Sequence, residues 1–168
     1  MKARQSETTK SFLLAEYSAL RAELLKRIEL QHQMISLALI AAGTFLSVGI
    51  QFDSATIILI YPILAMFLAS AWSQSDFWIR RIAFHIHFHI EEVLAGNDQG
   101  WEHNNHPGSK IPFFGSLSLF ASRGIFIGTQ VLAIFVAWLR TGFPLEDQVL
   151  MVVDILIIVL TLVLLRRR

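Results

Sequence analysis

Two long uncharged runs dominate the first half of the chain and predict a transmembrane hairpin. Residues 34–52 and 54–75 contain no Lys, Arg, Asp or Glu, and Asp53 is the only charge between them. Each run has about the length that an α-helix needs to cross a hydrocarbon core of roughly 30 Å at about 1.5 Å per residue. Only residues 51–54 separate the predicted spans, at about 35–50 and 55–72, so we expect a tight turn and an antiparallel pair.

The N-terminal residues have a different pattern, with apolar positions at helical spacing among charged ones. The apolar positions are Leu13, Tyr17, Leu20, Leu24 and Ile28. This spacing predicts an amphipathic cytoplasmic helix within residues 1–33 that continues into the first span, because no Gly or Pro intervenes from residue 12 to 42. Its apolar seam fits either a coiled-coil contact between copies or packing on the protein's own cytoplasmic loop.

The polar stretch at residues 76–111 is predicted to combine a helix and a loop. Apolar residues recur every three or four positions from residue 79 to 93, which predicts an interfacial helix lying on the membrane surface over about residues 77–94. A loop rich in Gly, Asn and Pro follows and carries Trp101 and Glu102.

A second hairpin is predicted at residues 112–165, with spans at about 114–139 and 148–165 and a turn at Gly142 and Pro144. The basic tail, residues 166–168, ends the chain. The predicted fold class is therefore an all-α membrane protein with four transmembrane helices, a long N-terminal cytoplasmic helix and an interfacial cytoplasmic helix.

Composition supports this fold class and narrows the partners. The chain is 54% hydrophobic and 16% charged, whereas soluble domains carry about 25% charge. A net charge of +1, with basic residues spread along the chain, predicts no nucleic-acid partner and leaves membrane lipids as the expected surroundings. The absence of cysteine excludes disulfides, thiolate nucleophiles and Cys-based zinc sites. No signal-peptide pattern occupies the first thirty residues, so we expect the N-terminus to be retained.

The basic residues also predict the orientation. Among Lys and Arg, only Arg140 falls on the far side of the predicted spans, and Arg123 lies within one. All the others precede the first span, lie between the second and third, or end the chain. The positive-inside rule therefore predicts a multi-pass membrane protein with both termini in the cytoplasm.

Arg123 and Asp154 are the ionisable residues predicted within the third and fourth spans. A charge at the middle of the bilayer costs about 2.5–3.5 kcal/mol on insertion scales, so such residues face the protein interior or water. Counted from the helix ends, the two lie at similar depths, close enough to pair. With Gln130 they fit the lining of an ion pathway; the alternatives are a structural ion pair and an Arg123 side chain that reaches the head groups alone.

Small residues in the spans predict close helix contacts. Gly124 and Gly128 form a GxxxG motif in the third span, and Gly43 lies in the first. Such glycines let backbones approach, either within one protein or between copies.

Histidines provide the one metal hypothesis. On a helix, His85 and His89 share a face at the spacing i, i+4, which suits a divalent metal. The alternative is that they are interfacial side chains. The sequence carries none of the common enzyme motifs, so we predict no catalytic residues and no cofactor.

Several short stretches resemble small, largely uncharacterised bacterial integral membrane proteins. These stretches are residues 16–21, residues 26–29, Arg80-Arg81-Ile82 and Gly100-Trp101-Glu102. The layout of residues 16–102 is also similar to SLATT-like two-span effector modules of bacterial anti-phage and nucleotide-sensing systems, although this chain has four predicted spans. The resemblance implies a membrane part that oligomerises and breaches the membrane.

Three functional hypotheses follow. The leading one is a homo-oligomeric inner-membrane protein, channel-like or membrane-permeabilising, gated from the cytoplasm. The second is a non-conducting scaffold or accessory subunit that recruits a soluble cytoplasmic protein, for which Arg21, Lys26, Trp101 and Glu102 are the candidate contacts. The third is a transporter that responds to metal or protons through its histidines.

Overall fold

The computed structural model describes the backbone of residues 2–91, 113–139 and 145–166, and these residues form four helices joined by turns and loops. The helices are α1 (Lys2–Gln51), α2 (Ala55–His85, continued by a π-helical segment, Ile86–Glu91), α3 (Phe113–Trp138) and α4 (Leu145–Arg166). Each is long and apolar enough to cross a membrane. The prediction of an all-helical chain with four such helices is confirmed. Trp101 and Glu102, with the loop around them, lie outside the described residues, as does the end of the basic tail.

The turn between α1 and α2 is a helix C-cap. The Ser54 N–H donates to the Gly49 carbonyl at 3.0 Å, and the Asp53 N–H donates to the Ile50 carbonyl at 3.4 Å. These two bonds are those of a Schellman motif, which requires a left-handed residue at its centre. Asp53 has that conformation, with φ of 51°. The predicted tight turn is therefore present, and it returns α2 along α1.

Helix α2 is the centre of the membrane bundle, since each of the other three helices packs more extensively on α2 than on any other helix. Its contact face combines large buried residues with Ala65 and Ala69, whose side chains are fully buried. Fully buried alanines also occur on α1 (Ala38) and on α3 (Ala133 and Ala137). Small side chains on facing helices let the backbones approach, which drives association in lipid through packing.

Contacts along α2 define the register of α4. Thr56 contacts Asp147, and Ser73 contacts the backbone of Leu164, so each contact joins residues 91 positions apart. A constant offset shows that α2 and α4 run parallel. Helix α3 runs antiparallel to both, with Gln130 next to Thr161 and Phe126 next to Trp72.

The second helix does not stop at the predicted end of its span. Residues 55–91 form one continuous helix, so the expected separate helix on the membrane surface is instead the extension of α2. The physical reason is that no Gly or Pro occurs between Pro62 and Gly96. Turn signals that would end the helix first appear at residue 96.

The extension of α2 packs on the charged half of α1, and we call this pair the stem (residues 7–30 of α1 and 76–91 of α2). His85 Nε2 lies 3.3 Å from Glu16 Oε1, and Arg21 Nη2 lies 3.8 Å from Glu91 Oε1. Leu24 is buried, and the other apolar seam residues of α1 are at least half-buried. Of the two alternatives for that seam, the described chain uses the one in which it packs on the protein's own segment.

Candidate functional site

The buried face of α4 carries polar residues at every seventh position. Asp147, Asp154 and Thr161 are all buried, and seven residues are close to two turns of a helix, so the three share a face. The opposite face is exposed and apolar, with Val152, Ile155, Leu156 and Val159. The helix therefore turns its polar residues towards α2 and α3 and its apolar residues outwards.

We define the buried polar seam as the buried residues Asp147, Asp154, Gln130 and Thr161, together with the exposed Thr56 that bonds Asp147 at one end. At one end, the Thr56 hydroxyl donates to Asp147 Oδ1 at 2.7 Å. Towards the other end, Gln130 Nε2 donates to Thr161 Oγ1 at 3.4 Å, and Thr161 donates to the Ile157 carbonyl at 2.8 Å.

Asp154 stands between these two bonded pairs without a bond of its own. Its side chain is 0% exposed, and neither carboxylate oxygen has a hydrogen-bond partner among the described residues. The side-chain oxygen of Gln130 is also buried and unbonded within the described chain. Buried polar atoms normally find partners, so these unsatisfied acceptors mark the seam as the first candidate site.

Arg123 and Asp154 do not pair, and the prediction that they lie at similar depth is wrong. Gln130 lies next to Thr161 on antiparallel helices. Arg123 precedes Gln130 by seven residues on α3, and Asp154 precedes Thr161 by seven residues on α4. Because the two helices are antiparallel, these displacements point in opposite directions and separate Arg123 from Asp154 by about 20 Å along the bundle. Helix α3 begins well beyond the end of α4, so depths counted from the helix ends do not correspond. The register instead places Arg123 near the cytoplasmic boundary predicted from charge.

Tyr61 connects three helices beside the seam. Its hydroxyl lies 2.7 Å from Thr129 Oγ1 on α3 and 3.3 Å from the Ala38 carbonyl on α1. Thr129 in turn donates to the Ile125 carbonyl of its own helix at 2.7 Å. Thr129 therefore bonds towards α2, whereas the adjacent Gln130, which the sequence singled out, bonds towards Thr161 of α4.

The predicted packing glycines border open space among the described residues. A Cβ atom built on Gly43, Gly124 or Gly128 would meet no described atom within 4 Å. The glycine that does permit a close approach is Gly49, where an added Cβ would clash with Ile58 and lie 3.1 Å from the Ser54 carbonyl oxygen. Its position in the sequence could have identified Gly49, because it lies just before the turn, where α1 faces the first turns of α2.

The two candidate metal ligands stack instead of converging. The rings of His85 and His89 lie 4.7 Å apart between centroids with planes 14° apart, and His85 contacts Glu16. Ring nitrogens bind metals along directions in the ring plane, so parallel stacked rings do not aim at one ion between them. In the described part of the chain, no group of three or more His, Asp or Glu side chains has an arrangement that could hold a metal ion. The structure thus gives no support for the predicted metal site there.

The stem places the candidate partner contacts in different settings. Arg21 Nε donates to the Tyr17 hydroxyl at 3.2 Å and its guanidinium lies near Glu91, so it holds the stem together. Lys26 is exposed and pairs only locally, with Glu29 at 2.9 Å. Of the two, Lys26 is the one available to a partner.

Aromatic residues divide the stem into two levels. Trp78 lies between Arg27 and Arg81, each guanidinium 5.6 Å from its ring centroid, as expected of an interfacial belt. Further out, Phe84 and Phe88 are exposed, and their rings lie 4.4 Å apart between centroids. The outer level therefore presents aromatic surface beyond the basic belt.

Comparison with known protein families, with curated proteins and with solved structures finds no match to this chain.

Proposed function

We propose that this protein is a non-enzymatic scaffold or accessory subunit of the bacterial inner membrane, whose cytoplasmic stem binds a soluble protein. The observation that carries the proposal is the exposed apolar surface of the stem. Both termini lie in the cytoplasm in this proposal, as the distribution of Lys and Arg predicts.

The stem exposes apolar residues that a water-facing helix pair normally buries. On α1, Phe12, Leu14 and Leu25 are each more than half exposed. On α2, Phe84 is 55% exposed and packs on Phe88. The paired rings of Phe84 and Phe88 are the most compact part of this exposed apolar surface, and such a patch is typical of a protein contact.

The location of the intramembrane polar residues supports a scaffold over a pore between copies. Asp154 and Gln130 are both fully buried within one chain. The exposed faces of the membrane helices carry mainly aliphatic and aromatic side chains, such as Ile40, Phe67, Phe135 and Leu156. An axis between copies would therefore lack the lining predicted from Asp154.

Site-specific photo-crosslinking in cells tests the docking surface. A benzoylphenylalanine in place of Phe84 or Phe88 should capture one and the same soluble protein. The matched control is Phe52, an exposed phenylalanine at the far end of α1, where no such product should form. Phe84→Ser with Phe88→Ser should then release the captured protein from membranes. Products that contain only this chain, or identical products at position 52, would contradict the proposal.

The second candidate is a homo-oligomeric effector that permeabilises the membrane under cytoplasmic control. The observation that favours it is the open space beside Gly43, Gly124 and Gly128, where an added Cβ would meet no described atom within 4 Å and another copy has room to pack. The resemblance to two-span effector modules points the same way. Particle mass in nanodiscs should be a multiple of the 19.0 kDa chain and fall to one chain in Gly124→Ile with Gly128→Ile. A monomeric wild type would exclude this candidate.

A further inference from the structure

Neither of the two candidate functions explains why the carboxyl of Asp154 is buried without a hydrogen bond among the described residues. It is fully buried, and its register on α4 places it level with residues 62–63 of α2 and with Ala137 of α3. Pro62 has no N–H, so the carbonyl of Ile58 lacks its helical donor close to this level. Ala133 and Ala137 are fully buried, and their small side chains leave the carboxyl without a polar neighbour from α3.

Every other titratable or charged group in the described spans is bonded elsewhere or distant along the bundle. On α2 the only such group in the span is the Tyr61 phenol, which is bonded towards Thr129 and Ala38. On α3 it is Arg123, about 20 Å along the bundle. On α4 it is Asp147, about 10 Å away and bonded to Thr56. No cation therefore balances Asp154 within the described chain.

We propose that Asp154 is a proton-binding site in the bundle interior, reached through the buried polar seam. The carboxylate takes a proton from hydronium to form a carboxylic acid and water, and the reverse step returns the proton to water. Carboxyls that face the interior of a membrane bundle are used in the proton relays of pumps and transporters.

The surroundings favour a proton over a metal cation. Hard cations require several oxygen ligands, whereas the side chains level with Asp154 on α2 and α3 are apolar. A proton needs only the carboxylate itself. Polar groups lie about 10 Å along the bundle on both sides, Asp147 on one and Gln130 with Thr161 on the other, and in this proposal they mark the route of the proton.

Labelling with dicyclohexylcarbodiimide tests the site in the full-length protein in nanodiscs. This apolar reagent adds to a protonated carboxyl in apolar surroundings and forms a stable N-acylurea without a leaving group. Peptide mass spectrometry should find the adduct on Asp154. Its amount should fall about tenfold for each pH unit above the midpoint of titration. Asp154→Asn should abolish the adduct, and the matched variant Asp53→Asn, at an exposed carboxyl of the turn outside the seam, should retain it.

Two further measurements separate the outcomes. Sodium chloride at constant pH and ionic strength should leave the labelling unchanged, because protection by Na⁺ would identify a metal-cation site and overturn the proposal. Infrared difference spectra between low and high pH should contain a carboxylic-acid C=O band that disappears in Asp154→Asn. Absence of the adduct at every pH, together with an unchanged band in that variant, would also overturn it. None of these results depends on stem binding, so the two proposals fail separately.

Discussion

Gly49 permits the closest approach between α1 and α2 of the glycines with described surroundings. A Cβ at this position would clash with the Ile58 side chain and crowd the Ser54 carbonyl oxygen. We expect Gly49→Ala to lower the free energy of unfolding by about 1–3 kcal/mol, the usual cost of overpacking. Reversible unfolding in mild detergent, followed by circular dichroism, measures the change.

Gly43 provides the matched control on the same helix. Nothing lies within 4 Å of its added Cβ, so Gly43→Ala should keep or raise stability by up to about 1 kcal/mol through helix propensity. Equal destabilisation by both variants would show that Gly49 has no special contact.

Tyr61 gives a second prediction at the level of single residues. Tyr61→Phe removes the hydroxyl that joins α2 to Thr129 and to the Ala38 carbonyl. Interhelical hydrogen bonds in membranes contribute about 0.6 kcal/mol on average and up to about 1.7 kcal/mol. We expect a loss of stability in this range by the same unfolding assay, and a similar loss in Thr129→Val. In the double variant the losses should not add, whereas full additivity would contradict a shared bond.

Asp53 shows how local backbone geometry restricts the turn. A left-handed residue at the centre of a Schellman motif is usually Gly or Asn. Asp53→Gly should therefore be neutral or stabilising, and Asp53→Val should cost about 1–2 kcal/mol because of its branched Cβ. A stability of Asp53→Val equal to that of the wild type would disprove the proposed strain.

At the scale of elements, variants of Leu24 and Leu25 test separately whether the stem helices pack on each other and whether the stem surface binds a partner. Leu24 is 8% exposed and Leu25 is 65% exposed, although the two are adjacent in sequence. Leu24→Ala should loosen the stem and raise the hydrogen exchange of residues 79–91, which pack on α1. Leu25→Ala should leave that exchange unchanged. The reverse order would show that α1 presents a different face to α2.

Elements governed by local sequence could be predicted, and their relative register could not. The spans, the turn at Asp53 and the unbroken α1 follow from hydrophobicity, chain length and the absence of Gly and Pro. The length of the α2 extension was missed because an amphipathic segment after a span fits a surface helix as well as a stem. The spacing of Arg123 from Asp154 was missed because the sliding of α3 along α4 depends on side-chain packing from several helices.

For the candidate sites too, the sequence indicated the unusual residues but not their contacts. The sequence identified Asp154 and Gln130 as unusual, but only the bundle shows that both face inwards. It did not identify Thr56 or Thr161 as partners, since a threonine in an apolar helix is common and bonds its own backbone. Residues Phe84 and Phe88 looked like parts of an amphipathic helix, and their exposure follows from which face packs on α1.

At the scale of the whole molecule, orientation is the prediction with the most direct test. The chain contains no cysteine, so single cysteines can be introduced without removing any. Phe52→Cys, at the turn, should react with an impermeant maleimide applied to the outside of cells permeable only at the outer membrane. Ala22→Cys, exposed on the stem, should react only after the inner membrane is opened. The opposite pattern would invert the proposed topology.

Because α2 is continuous, movement at one of its ends is transmitted to the other. Its 37 residues extend about 55 Å, from the Thr56 contact with Asp147 to the Glu91 contact with Arg21. A tilt of about 5° around the middle of the helix would displace each end by roughly 2.5 Å, which is comparable to the small helix shifts that switch other proteins. A small change of charge or packing deep in the bundle can therefore move the surface of the stem, and a force applied to the stem can in turn move the residues of the bundle.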